Sequence, residues 1–172
     1  MRYTIRPAKP EDAEGLTRVH VRSWQSSYRG LLAQEFLDTI DSTQRLAMWR
    51  HTLAHPENFG VYTAETPDTG ELVGFCAVGK SRGDPPGYLG ELYSIYLLEE
   101  AKGLGVGRAL FQEGLQWLRE HGLWPVALWV LKENTRARRF YERMGGHLAG
   151  EQSITIGDVR YPEVAYGWST EV

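Results

Sequence analysis

Apolar residues change their spacing several times along this chain, and each change marks an element. "YTIR" (residues 3–6) alternates as a short strand. Pro10, followed by Glu11 and Asp12, suits the start of a helix whose N-terminal end is positive. Ala13, Leu16, Val19, His20 and Trp24 then recur at helical intervals until Gly30 breaks the pattern. On that face His20 reads as a core histidine with its ring nitrogens satisfied. A second helix is predicted after "DSTQ" (41–44), which has capping-box spacing, with Leu46, Trp49 and Leu53 on its inner side.

Two strands, "FGVYTAE" and "ELVGFCAVGK", flank the turn "TPDTG". A long apolar segment, "YLGELYSIYLL", comes next, then a glycine-rich loop and a helix over about 107–121 that Gly122 stops. "PVALWVLK" is apolar at both alternating sets of positions, as a central strand covered on both sides requires. Asn134 is placed to cap a helix carrying Ala137, Phe140, Tyr141 and Met144, ended by Gly145 and Gly146. "SITIGDVRYPEVAYGW" closes as a hairpin turning at Gly157 and Asp158. The order β-α-α-β-β-β-α-β-α-β-β predicts an α/β (α+β) fold with one mixed, mostly antiparallel central sheet and helices on both faces.

The chain has 172 residues and no linker, repeat or low-complexity tract, so residues 1–172 are expected to form one domain. Hydrophobic residues make up 42% and charged residues 24%, the balance of a globular protein. A net charge of -3 argues against a nucleic-acid partner. The basic run "RARRFYER" reads as a solvated helix face. No apolar run reaches the roughly 20 residues of a membrane span, and the charged N-terminus lacks an apolar signal core. A cytoplasmic protein without a membrane partner is expected. The single cysteine, Cys76, rules out an intrachain disulfide and a cysteine zinc site, and no metal is expected.

The chemistry concentrates in "KGLGVG", residues 102–107. Glycines at 103, 105 and 107 permit positive φ and remove Cβ atoms, so backbone N–H groups can converge on one anion. The helix that follows adds unpaired donors and a partial positive charge, with Lys102 and Arg108 on either side. A pyrophosphate is the natural guest, and a plain flexible turn is the alternative. The dinucleotide fingerprint fails because Arg108 stands where its last glycine belongs, and no Gly-Lys-Ser/Thr closes an ATPase-type loop.

"KGLGVG" resembles the Gln/Arg-x-x-Gly-x-Gly/Ala loop of the GNAT superfamily of acetyl-CoA-dependent N-acetyltransferases, with Lys102 a mild departure in first position. The preceding "LYSIYLLEEA" and the later "NTRARRFYERMGG" are similar to the family's adjoining strand and its Asn-x-x-Ala-x-x-Phe-Tyr-x-x-x-Gly element. Gly146 departs from the family, which usually has an aromatic there, and looser local packing is expected. The resemblance covers nearly the whole chain, and "SWQSSYRGLLAQEFLDTI" is similar to the corresponding segment of small-molecule and polyamine acetyltransferases in the group.

The resemblance implies acetyl-CoA as co-substrate, with the pyrophosphate on Lys102, Gly103, Leu104, Gly105, Val106, Gly107 and Arg108. It implies strand-like pairing of Ile95, Tyr96 and Leu97 with the pantetheine arm, and contacts to the arm from Asn134 and Tyr141. The thioester then falls in a splay between "YSIYLL" and "ALWVLK". An amine acceptor must lose a proton before it attacks, and Glu91, ionisable in an apolar strand, is the candidate base. It can instead bind a cationic substrate or sit solvated at a strand end. Tyr141 is the candidate acid toward the leaving thiolate, or else part of the core stripe beside Phe140. Trp24 and Tyr28 fall in the segment that lines the acceptor pocket in the family. Their rings can stack a cation or simply pack. The expected activity is acetyl transfer to a primary amine of a small molecule, polyamine-like or amino-acid-like. A protein N-terminus or lysine is the alternative acceptor, and a non-catalytic acyl-CoA sensor the alternative class. A homodimer is compatible with this reading.

Overall fold

The structure, a computed structural model, describes residues 3–169. Among these, seven strands form one sheet in the order β1-β2-β3-β4-β5-β7-β6. They are β1 (Thr4–Pro7), β2 (Phe59–Glu65), β3 (Leu72–Lys80), β4 (Gly90–Leu97), β5 (Val126–Leu131), β6 (His147–Ile156) and β7 (Val159–Trp168). Every pair is antiparallel except β4 with β5. The mixed, mostly antiparallel sheet expected from the sequence is the one observed.

Helices α1 (Ala13–Ser27), α2 (Gln34–Asp38) and α3 (Ser42–Leu53) precede β2, while α4 (Val106–Glu120) and α5 (Thr135–Arg143) flank β5. α1 starts one turn later than Pro10, because Pro10–Asp12 form a 3-10 turn. The Asp12 carboxylate accepts from the Lys9 N–H at 2.7 Å and pairs with Arg6, whose guanidinium also reaches Glu65, so one cation ties β1, the first helix and β2 together. α3 is capped as expected: Asp41 Oδ1 accepts from the N–H groups of Thr43 and Gln44. α2 is an element the hydrophobic pattern does not announce. With five residues and one buried side chain, Leu37, it is too short to display a period.

The two faces of the sheet are covered differently. α4 packs on β2, β3 and β4, and a methyl group on its Gly114 would meet Cys76 and Val78 within 3 Å. The opposite face carries Phe75 and Tyr96, against which His20 of α1 and Trp49 of α3 are placed edge-on or stacked. Gly146 does not loosen the packing. A Cβ there would lie 2.7 Å from the Trp168 indole, which fills the space an aromatic at 146 would take.

His20 is a core residue, but its Nδ1 has no hydrogen-bond partner. Burial, with a smaller contribution from the charge of Arg45, lowers its pKa to about 3. The folded state therefore holds the neutral ring, while the unfolded chain takes up a proton near pH 6.5. Stability from this group is complete above pH 6.5 and drains as pH falls toward 3, at about 1.4 kcal/mol per unit. Lowering the pH from 7 to 5 should cost about 2 kcal/mol through His20 alone. Urea melts of His20→Phe should show that part of the acid loss removed; an unchanged loss would mean that His20 is not the titrating group.

Candidate active site

The parallel pair β4–β5 is held at only two positions, Gly90 with Val126 and Glu91 with Ala127. Beyond Glu91 the strands part. A bulge helps: Ala77 pairs with Ser94 and Val78 with Leu92, leaving Tyr93 without a partner, and such an insertion bends its strand. β4 stays paired with β3 up to Leu97, so its other edge is an open row of backbone groups. A cleft of about 700 Å³ occupies this opening and runs past the glycine loop.

The loop has the conformation of an anion cradle. Gly103 and Gly105 take φ of +75° and +81°, and a Cβ at either would meet nothing within 4 Å. Backbone conformation, and the empty space above it, is what asks for glycine at these two positions. Gly107 is helical, and a Cβ there would make ordinary contacts with Leu97 and Phe140, so its side chain is not excluded by backbone. The first helical bond runs from Ala109 N–H to Gly105 C=O at 3.1 Å, which leaves the N–H groups of Val106, Gly107 and Arg108 unpaired at the helix end. Open backbone, free donors and a helix N-terminus fit a pyrophosphate.

Ile95, Tyr96, Leu97, Lys102, Gly103, Gly105, Gly107, Arg108, Asn134 and Tyr141 all line the cleft; Leu104 and Val106 do not. Lys102 is engaged: its ammonium meets Glu99 and donates to Ser27 at 2.9 Å. Arg108 is exposed at the rim. Asn134 caps α5, its Oδ1 accepting from Ala137 N–H at 3.2 Å. Tyr141 is 7% exposed, and burial pushes its hydroxyl well above the usual tyrosine range.

Tyr28 also lines the cleft, and its hydroxyl lies 3.1 Å from that of Tyr96. Tyr96 thus contributes a side chain as well as backbone, which the sequence reading did not foresee. Trp24 stands behind this pair, with ring centroids 5.0 Å from Tyr28 and 6.1 Å from Tyr96. It supports the wall rather than forming it.

Glu91 is the last paired residue before the splay and lies one step outside the cleft lining. It is 2% exposed, so it is not a solvated strand end. Its carboxylate accepts from Arg82 Nε at 2.6 Å, and the Arg82 side chain is 70% exposed. Burial raises the Glu91 pKa, the Arg82 charge and hydrogen bond oppose that, and the nearby charge of Glu163 adds to it. Cys76, by contrast, is fully buried with its thiol pushed up to about 12, which removes it as a nucleophile.

The acetyltransferase (GNAT) family model matches residues 19–146. YuaI, an uncharacterised N-acetyltransferase of Bacillus subtilis, is 34% identical over 165 residues, 96% of this chain and 92% of its own. A probable N-acetyltransferase of Mycobacterium tuberculosis is 26% identical over 94% of this chain and 91% of its own. Among solved structures, the PaiA N-acetyltransferase of Thermoplasma acidophilum in complex with coenzyme A superimposes with a TM-score of 0.78 at 20% identity, over 98% of this chain and 100% of that one. The yncA protein of Salmonella typhimurium with its cofactor acetyl-CoA gives 0.73 at 17% identity, over 100% and 96%. At such identities these two structures speak for the fold, while the family model and the Bacillus relative speak for kinship: the chain belongs to the GNAT family and is an N-acetyltransferase.

Proposed function

We propose that this enzyme transfers the acetyl group of acetyl-CoA to a primary amine of a small molecule, by direct attack of the amine nitrogen on the thioester. The observation that carries this reading is the early parting of β4 and β5, which opens a cleft lined by the glycine loop and by Tyr28, Tyr96 and Tyr141. Gly103, Gly105 and the first N–H groups of α4 hold the pyrophosphate in this reading. The open edge of β4 at Ile95–Leu97 pairs with the amides of the pantetheine arm, as an added strand would. Acetyl-CoA supplies the activated carbonyl; the protein's residues orient it and move one proton.

A lysine-like ammonium is neutral in only about one molecule in 10³ at pH 7.4, a cost of about 4 kcal/mol. Glu91 takes that proton, directly or through water. A carboxylate whose pKa burial has raised is a better base than an exposed one. The new C–N bond forms as the C–S bond breaks, and the sulfur leaves as a thiolate. Tyr141 hydrogen-bonds that sulfur. Because burial makes its hydroxyl a weaker acid, the Tyr141 contribution is chiefly a hydrogen bond to developing charge.

Tyr141→Phe keeps the ring and its packing against Phe140 and Trp168. Losing one hydrogen bond to a charged group should slow single-turnover acetyl transfer about 10- to 100-fold, with Tm and coenzyme affinity near wild type. A wild-type rate would leave Tyr141 as core alone. The acceptor class is tested by free-thiol release from acetyl-CoA with polyamines, amino acids, aminoglycosides and peptides. Small amines should outpace every peptide; a peptide preference would move the enzyme to protein acetylation.

A further inference from the structure

Arg82 lies on the loop between β3 and β4, and three contacts fix the course of that loop. Ser81 N–H donates to Leu89 C=O at 2.8 Å, Gly83 N–H donates to Ser81 Oγ at 3.1 Å, and Asp84 C=O accepts from the Trp129 indole N–H at 2.9 Å. Trp129 of β5 lines the cleft, so the loop is tied to the cleft wall. From there Arg82 reaches back over β4. Its Nε donates to Glu91 Oε2 at 2.6 Å, while its guanidinium carbon lies 5.2 Å from the centre of the Tyr93 ring. Tyr93, the bulged residue, also lines the cleft, and its hydroxyl donates to Lys80 C=O at 2.5 Å.

The two ends of this ion pair have unlike surroundings. The Glu91 side chain is 3% exposed and that of Arg82 70%. A buried carboxylate loses much when its counter-charge is removed, whereas an exposed guanidinium gains little from pairing. The contact therefore matters to Glu91 more than to Arg82. It engages one oxygen only: Oε1 accepts no hydrogen bond from any described residue. The carboxylate is held at one oxygen and open at the other. Among the described residues Arg82 is the one cation that acts on Glu91, and Glu163 of β7 acts in the opposite sense. Gly79 and Ala127, its partners on β3 and β5, carry no charge, the neighbouring Tyr93 is neutral, and no ionisable group of α1 or α4 contributes.

We propose that Arg82 is the positioning residue of the base: it fixes the Glu91 carboxylate through Oε2, keeps it ionised, and leaves Oε1 to take the proton of the acceptor's ammonium, directly or through water. This rests on the reading of Glu91 as general base and adds what holds it ready. An N–H bond of the ammonium breaks, an O–H bond forms at Oε1, and the nitrogen lone pair is freed for attack. Arg82 keeps its own protons, because a guanidinium does not deprotonate in a protein. Burial raises the Glu91 pKa and Arg82 restrains the rise, so the group is both basic and ionised at working pH.

The test is a mutant cycle on kcat/KM across pH, with wild type, Arg82→Gln, Glu91→Gln and the double variant. The substrates are acetyl-CoA and the fastest amine from the panel of polyamines, amino acids, aminoglycosides and peptides, and coenzyme A affinity is the folding control. We expect Arg82→Gln to lower kcat/KM at least about 10-fold at pH 7 and to move the acid limb upward by about one pH unit. It should converge with wild type at high pH, where the amine deprotonates unaided. In the Glu91→Gln background the same change should alter kcat/KM by less than about twofold, because the group it positions is already gone. An unmoved acid limb in Arg82→Gln, or an equal loss in both backgrounds, overturns the proposal and leaves Glu91 as the base. Wild-type turnover in Glu91→Gln, or a deficit of constant size at every pH, defeats the base reading itself and the Arg82 role with it.

Discussion

Replacing Gly105 with valine should abolish the stabilisation of this enzyme by acetyl-CoA. At about 100 times Kd a ligand that binds only the native state adds about 2.7 kcal/mol, which raises Tm by several degrees in a chain of this size. Gly105 has φ of +81°, where a β-branched residue is strained by about 1–3 kcal/mol, and its added side chain would stand over the unpaired N–H groups of α4. Nothing in the protein lies within 4 Å of that added carbon, so the variant should fold with reduced Tm and no ligand response. Gly70→Val is the matching control. It has φ of +69° and equally open surroundings, but lies in the β2–β3 turn, so it should carry the strain and keep the full shift. A normal shift in Gly105→Val would remove the loop from coenzyme binding.

Glu91→Gln should lower kcat/KM about 10²- to 10⁴-fold at neutral pH, the usual contribution of a general base. Stability should change little, because the amide retains the side chain's shape and the Arg82 it releases is mostly in water already. The sign of the pH dependence follows from the raised pKa of Glu91. Wild-type kcat/KM should fall as acid protonates the carboxylate, with the limb displaced upward from the ordinary carboxylate range, and the variant should lose that limb. Toward high pH the amine deprotonates unaided and the two proteins should converge. A deficit of constant size at every pH would make Glu91 a substrate-positioning residue.

The parts of this molecule that obey local rules were legible before the structure. Asp41 and Asn134 cap helices because a short polar side chain meets free N–H groups there, and the glycines at 103 and 105 hold positive φ. β2 spans the expected residues because its interior positions must be covered. Features that depend on distant segments were not legible. α2 is too short to show a period, and the first half of β6 is an edge strand with little burial, so "HLAGEQ" carries no alternation. The parting of β4 and β5 was expected only from the family resemblance, because the residue pattern of the two strands does not mark where they separate. Glu163 looked like any polar hairpin residue, since its burial arises only when residues 28–40 fold over β5 and β7. Trp24 illustrates the reverse case: its place in the chain pointed to the pocket, and packing set it one layer behind.

Direct transfer is the central claim, and rapid-mix single turnover of the wild-type enzyme with acetyl-CoA and a small amine measures it. Free coenzyme A thiol and N-acetylated amine should appear together at one rate, and no thiol should form when the amine is left out. A burst of thiol without amine and without an equal amount of acetate would require an acetylated enzyme, which the buried Cys76 is unsuited to provide, and would contradict the account.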